Sequence, residues 1–174
     1  MLKAHKDGLV KVTARAVDGS GAQGSRLFLI KGQSGGNLAL NKTATAQYSH
    51  SATENLPAAA VDGRADGASR WSGKWGDQWF QVDLGQAQPI NRVTINWENA
   101  YSSAYELSVS TNGEQWTPVY TQAKGAGGIE TADFDAVSAR YVRLHSTKSA
   151  TSYGISIWEF EVYYAPSVSA TAED

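Results

Sequence analysis

The chain has 174 residues and not one cysteine, which excludes disulfides, thiolate metal sites and cysteine nucleophiles. Charge is also sparse. Asp, Glu, Lys and Arg make up 18% of the residues, against roughly 25% in average soluble domains. The 15 basic and 17 acidic side chains leave a formal net charge of -2. Nucleic acid is thereby excluded as the main partner, because phosphate binding calls for a clustered cationic excess. No apolar run approaches the roughly 18 residues of a membrane-spanning helix, and the opening MLKAHKDGLV lacks the apolar stretch of a signal peptide. Met1 is therefore expected to open an internal fragment of a longer secreted protein whose export signal lies elsewhere. What the chain has in quantity is aromatic side chains suited to a surface, with six Trp and eight Tyr.

The hydrophobic pattern has a period of two almost throughout, which selects strands over helices. Val10, Val12, Ala14 and Ala16 alternate with Lys11, Thr13 and Arg15. The segment DGSGAQG at 18–24 turns the chain, and RLFLIK at 26–31 returns it as a second strand. GQSGG at 32–36 then has the composition of a flexible linker. A lone hairpin is only marginally stable, so this one is expected to belong to a preceding domain. Short strands follow at 78–84, 91–97, 105–110, 115–121, 140–145 and 155–164. Asp62-Gly63, Asn112-Gly113 and the glycines of 125–128 separate them. Strands at this spacing, without an amphipathic helix or an internal duplication, argue for a sandwich or barrel. After Pro166 the tail SVSATAED reads as a frayed end or a further linker.

Several motifs with catalytic overtones fail on context. Gly19 to Gly24 satisfies G-x-G-x-x-G, but a phosphate cradle needs a helix N-terminus after the glycines and a β-type run follows. Gly32 to Gly36 satisfies G-x-S-x-G without the strand before it and the helix after it that a nucleophile elbow requires. His5, His50 and His145 have no paired metal spacing. Asp62-x-Arg64-x-Asp66-Gly67 begins like an EF-hand loop but has Gly73 where the bidentate Glu should stand. Asn41-Lys42-Thr43 is a formal glycosylation sequon and is read as chance. No catalytic residue is assigned.

Four segments carry more information: NLALNKTATA at 37–46, AVDGRADGASRWSG at 60–73, DQWFQVDLG at 77–85 and ISIWEFEVYY at 155–164. With INRVTINWENAY and ARYVRLHS between them, the stretch 37–164 resembles the discoidin, or factor V/VIII type C, fold. More closely it is similar to the family 32 carbohydrate-binding modules attached to secreted bacterial glycoside hydrolases. The segment DGLVKVTARAVDGSG resembles the end of a bacterial Ig-like domain. The resemblance implies an all-β, discoidin-type β-sandwich (jelly roll) of about eight strands with an N-terminal Ig-like hairpin remnant. Its boundaries would be 1–33 for the remnant and linker, 34–165 for the carbohydrate-binding module and 166–174 for the tail.

The residues themselves agree. Phe80, Val82 and Leu84 alternate with Trp79, Gln81 and Asp83, which gives a strand one core face and one polar face. Trp97 and Trp158 sit in or beside strands and are read as core. Trp71, Trp75, Tyr101 and Tyr153 lie among Ser, Gly, Lys and Asn, in expected loops, where an aromatic needs something to cover it. A sugar offers a C–H face for such a ring, and polar neighbours bond its hydroxyls. Glu54, Arg70, Lys74, Glu98 and Asn99 are candidates for that role, against the plainer reading of solvated loop charges, or for Arg70 an ion pair that pins its loop.

In the resembling family, some chitosanase modules hold a terminal glucosamine with two carboxylates, an arginine and an aromatic on these loops. Glu54, Arg70, Trp75 and Glu98 match those positions, with Trp75 where a tyrosine is commoner. Tyr101 and Tyr153 complete the expected ligand-binding set. Two carboxylates suit an ammonium sugar, since charge-assisted hydrogen bonds are the strong ones. The family also carries a structural calcium. Asp62, Ser69 and Glu159 match its side-chain ligands, and Ala59 and Trp158 two of its carbonyl donors, although RADGAS makes the loop about two residues longer than usual.

The expected function is that of a non-catalytic module, secreted and extracellular in a bacterium. It would tether a covalently linked glycoside hydrolase to a polysaccharide or oligosaccharide, with chitosan or glucosamine oligomers as the implied ligand. Neutral β-glucan or galactose-containing glycans stand as the alternative ligands. An adhesion or membrane-surface discoidin module is the rival of another class; it expects apolar spikes with basic neighbours, for which Trp75 beside Lys74 is the one candidate. An enzyme would need Glu54 and Glu98 as an acid–base pair.

Overall fold

The computed structural model describes residues 8–15, 20, 23–30 and 36–165. β1 (Gly8–Arg15) and β2 (Gln23–Ile30) pair antiparallel, with Gly8 opposite Ile30 and Arg15 opposite Gln23. This is the expected hairpin. His5, most of the turn at 18–24, nearly all of the linker and the tail from residue 166 lie outside the described residues.

Seven further strands form one antiparallel sheet folded over on itself. They are β3 (Thr43–Ala46), β4 (Trp71–Ser72), β5 (Gln78–Trp97), β6 (Ser102–Ser110), β7 (Thr117–Gln122), β8 (Ile129–Ser149) and β9 (Ser156–Tyr163). The order is β4-β9-β5-β8-β6-β7, with β3 also on β5. β5 and β8 run for 20 and 21 residues, where strands of roughly 5–6 are usual. The excess length arises because both strands serve two layers. The first half of β5 pairs with β3 and with the second half of β8, while its second half pairs with β9 and with the first half of β8. Register shifts between Asp83 and Gln88, and between Ile90 and Arg92, mark the corner. Gly85 at φ 89 takes a conformation there that a side chain would resist.

The two layers close on a single core. Phe80, Val82, Leu84, Leu107, Val142 and Leu144 face Val93, Ile95, Ile157, Phe160 and Val162, all buried. Rings meet across the gap: Phe80 and Phe160 have centroids 5.3 Å apart, and Trp97 and Tyr105 5.6 Å apart. The architecture is the expected β-sandwich, with seven strands in place of about eight. Two boundaries differ from the sequence pattern. The strands expected at 78–84 and 91–97 are one strand, because the chain stays extended around the bulged corner at GQAQ and rejoins β8 at Gln88. The stretch 129–138, which has no clear alternation, is strand as well.

Both ends of this unit are fastened at the same place. The Asn37 side chain accepts from the N–H of Val162 at 3.1 Å, and Leu38 N–H donates to the Val162 carbonyl at 2.8 Å. Asn91 clamps Ala165 from both sides, donating to its carbonyl at 2.6 Å and accepting from its N–H at 2.7 Å.

Candidate functional site

β4 and β9 lie side by side, Trp71 opposite Ile157 and Ser72 opposite Ser156. Against its other neighbour, β9 carries an extra residue: Asn96 opposes Glu159, yet Trp97 opposes Ile157. Trp158 is the residue left over, and a β-bulge re-aims side chains where it occurs. Alternation breaks accordingly. Ile157 and Phe160, three apart, both enter the core, while Trp158 stands half-buried outside it. Its ring lies 5.3 Å from the guanidinium carbon of Arg70.

Next to this stack is a cavity of about 490 Å³, walled by His50, Asn55, Arg70, Ser72, Glu98, Asn99, Thr151, Tyr153 and Ser156 among others. Main-chain bonds hold its walls together. His50 N–H donates to the Ser72 carbonyl at 2.7 Å, Ser72 N–H to Asn55 at 3.0 Å, Glu98 N–H to Ser156 at 3.0 Å and Ser156 N–H to Ala100 at 2.6 Å. Arg70 donates Nε to Ser72 Oγ at 3.1 Å, and the Ser156 hydroxyl donates to the same Ser72 oxygen at 3.1 Å. Among the described residues the two terminal amines of Arg70 have no protein acceptor, and Arg70 joins no ion pair. Glu98 accepts from Ala100 N–H at 2.8 Å through Oε2. A fork of free donors therefore shares one concavity with a carboxylate.

Two aromatic side chains stand beside it, Trp75 at 73% exposure and Tyr153 at 85%. The Trp75 loop is tied down by buried Gln78, which accepts from Lys74 N–H at 3.0 Å and donates to the Lys74 carbonyl. Lys74 lays its ammonium over Tyr48 at 5.1 Å. Gly154, at φ 93, lets the Tyr153 loop press against this one: a Cβ there would stand 2.6 Å from the Lys74 carbonyl oxygen.

Of the residues expected to bind ligand, Arg70, Glu98 and Tyr153 line this one cavity, and Trp75 projects from the adjoining loop. Glu54 is exposed on the loop that supplies Asn55 to the wall, and is not itself part of the wall. Tyr101 is half-buried with its ring against Gly127, where a Cβ would come within 2.7 Å. That glycine loop is held by Glu130, which accepts from Ala126 and Gly127 N–H, Trp97 Nε1 and the Tyr105 hydroxyl. Burial, and then the Glu130 carboxylate, push the Tyr105 hydroxyl pKa upward. Trp71, expected in a loop, is instead fully buried in β4 with its ring 5.0 Å from Phe80. Ser72, Ser156 and Thr151 escaped the sequence reading. The first two were visible only as hydroxyls interrupting the apolar runs of WSG and ISIW.

A second cluster is built on the residues next in the chain to the Arg70–Trp158 stack, Ser69 and Glu159. Ser69 Oγ is 2.5 Å from Asp62 Oδ2 and 3.3 Å from the Ala59 carbonyl oxygen. Glu159, 4% exposed, accepts from Gly63 N–H at 3.1 and 3.2 Å. Burial is the main reason its carboxyl pKa is pushed up to about 7; the nearby charges of Asp62 and Glu161 add to it, and the Gly63 N–H opposes it. Neither Asp62 nor Glu159 is in an ion pair among the described residues. No three His, Cys, Asp or Glu side chains cluster among them either, so a cation here would rely on hydroxyl and carbonyl oxygens beside two carboxylates. A buried carboxylate, Glu159, with no ion pair among the described residues, a half-buried one, Asp62, and hard neutral oxygens beside them fit Ca²⁺ chemically. No helix among the described residues is long and apolar enough to cross a membrane.

Comparison with known proteins agrees with this architecture. The F5/8 type C domain family matches residues 42–160. Chitosan-binding module 1 of a chitosanase/glucanase from Paenibacillus sp. IK-5 is 47% identical and superposes with a TM-score of 0.69, covering 73% of this chain and 98% of the module. Module 2 of the same enzyme, solved in complex with chitotriose, is 43% identical with a TM-score of 0.69, covering 73% and 99%. A polysaccharide lyase 8 family protein of Enterococcus faecalis is 36% identical over 113 residues, 60% of this chain, and the chain spans 8% of that protein's length. The chain therefore belongs to the F5/8 type C family, and its structural relatives are family 32 carbohydrate-binding modules.

Proposed function

We propose that the module holds the end of a glucosamine-containing polysaccharide in the cavity of Arg70 and Glu98, and so keeps a covalently linked, secreted catalytic domain at its substrate. The observation that carries this reading is the pairing, in one concavity, of a guanidinium with free donors and a carboxylate, beside two exposed aromatic rings. Arg70 would donate to ring hydroxyls, Glu98 would accept from the sugar ammonium, and Trp75 would cover the C–H face. Glu54, on the neighbouring loop, would supply the second carboxylate, and Tyr153 would extend the rim. Two related modules named for chitosan support the choice of sugar. In the same reading Asp62, Ser69, Glu159 and the Ala59 carbonyl hold a calcium ion, with the Trp158 carbonyl as a further donor, and the β1–β2 hairpin ends a preceding spacer domain. When bound, the ion supplies a positive charge to the buried Glu159 carboxylate, which has no ion pair among the described residues.

Isothermal titration against glucosamine, β-1,3-glucan and galactose oligomers tests the ligand. Binding of glucosamine oligomers with an affinity that falls as salt rises agrees with it, because such ion pairs are screened. Tight binding of a neutral glycan with none of glucosamine refutes the sugar while leaving a carbohydrate-binding module. Sedimentation with anionic liposomes tests the membrane-surface alternative suggested by Trp75 beside Lys74.

A further inference from the structure

The oxygen cluster and the cavity share two junctions. On one, Ser69 touches Asp62 and Ala59, and the next residue, Arg70, is in the cavity wall. On the other, Glu159 receives Gly63, and the preceding residue, Trp158, carries the Arg70 guanidinium. The two junctions lie on neighbouring antiparallel segments that are paired directly beyond them, Trp71 with Ile157 and Ser72 with Ser156. At the one bulge, Trp158 sets its ring against Arg70 and Glu159 its carboxylate against Gly63.

We propose that Trp158 is a positioning residue for the glycan, and that through it a cation in the Asp62 cluster and a glycan in the Arg70 cavity each tighten the other's binding. The proposal rests on the glycan and calcium reading above. The physical route is short. Adjacent Cα atoms are about 3.8 Å apart, so whatever fixes Ser69 and Glu159 fixes the backbone of Arg70 and Trp158. Arg70 already has Nε committed to Ser72, and its plane rests on the indole; the terminal amines can meet sugar hydroxyls only in the orientation these two contacts set. Without a cation, the charge of Asp62 opposes that of Glu159 beside the bulge that sets the indole. With one, the stack is set before the sugar arrives, and less ordering remains to oppose binding. Linkage makes the effect reciprocal, and couplings of this kind amount to roughly 5- to 150-fold in affinity.

The test is isothermal titration of a β-1,4-linked glucosamine trimer in saturating calcium and in EGTA, on the wild-type module, Trp158→Leu and Trp158→Phe, with melting curves in parallel. The expected result is wild-type binding at least about five-fold tighter in calcium. Trp158→Leu should lose that dependence while calcium still raises its melting temperature, and Trp158→Phe, which keeps a ring under Arg70, should recover most of it. Equal wild-type affinity in calcium and EGTA, with calcium still raising the melting temperature, overturns the coupling and leaves both binding sites standing. Coupling unchanged in Trp158→Leu overturns the role of Trp158. Failure of the trimer to bind in either condition overturns the glycan reading and the coupling with it. Should Trp158→Leu not fold, the wild-type pair of titrations and Trp158→Phe decide the matter.

Discussion

Replacing Trp75 by alanine separates a ligand platform from a structural tryptophan, because the two roles predict opposite pairs of results. The side chain is 73% exposed. A free indole side chain presents roughly 250 Å², so about 180 Å² meets water, and a sugar stacked on one face would cover about half of that. At roughly 25 cal/mol per Å², the covered face is worth about 2 kcal/mol. That corresponds to about thirty-fold in affinity, reduced toward ten-fold by the ordering of loop and sugar. Stability should barely move, since exposed positions away from caps and networks usually lie within about 0.5 kcal/mol of wild type. Titration calorimetry with glucosamine oligomers, beside a thermal melt, reads both quantities. An affinity within two-fold of wild type refutes the stacking argument. A fall in melting temperature of more than about 5 °C would show that the ring supports its loop, and the affinity loss would then need no stacking.

Three other outcomes follow from the geometry. Glu98→Gln should weaken glucosamine oligomers by about ten-fold, since a bond to a charged group is worth roughly 1.5–3 kcal/mol; an equal loss for a neutral glucan in the same titration would count against an ammonium partner. Chelation should lower the melting temperature and Asp62→Ala should abolish that response, as mass action requires of an ion bound only by the folded state; superimposable melts with and without EGTA would dismiss the ion. The Asp83 carboxyl is held below the usual carboxylate range chiefly by hydrogen bonds from Arg140 at 2.9 Å, with a further contribution from Gly85 N–H. A depressed folded pKa stabilises above the unfolded value near pH 4, and that contribution disappears as pH falls through the folded one. Asp83→Asn should therefore flatten the acid limb of a pH–melting curve by up to about 1 kcal/mol, and an unaltered acid limb would contradict the assignment.

The parts of this fold that the sequence made legible are those where side chains alone decide. QWFQVDL alternates strictly, so Phe80, Val82 and Leu84 could be placed in the core from their spacing. The stretch 129–138 could not be placed. Only Ala132 is buried there, and Asp133 and Asp135 disfavour a strand, which exists because β5 offers a long paired edge. In the candidate site, the exposed aromatics betrayed themselves by their polar neighbours, and Trp75 and Tyr153 are indeed exposed. Trp71, in equally polar company, is buried, because two residues of pairing with β9 suffice to turn it inward. Trp158 was legible as a strand residue but not in its orientation. A bulge depends on how two distant strands register, and no local pattern encodes that.

The fastening of both ends of the sandwich at one place has a mechanical consequence. Ser156, at the cavity, and Tyr163, beside the Asn37 and Asn91 clamps, are the two ends of β9. Eight residues at about 3.3 Å each put roughly 23 Å between them. Tension between a gripped polymer and the chain beyond residues 37 and 165 would thus run lengthwise along β9. Its ladder to β5 crosses that direction, because antiparallel hydrogen bonds stand perpendicular to their strands. The rungs from Trp97 and Ile157 to Arg92 and Tyr163 would be sheared together, sharing the load, where a pull across the strands would peel them one at a time.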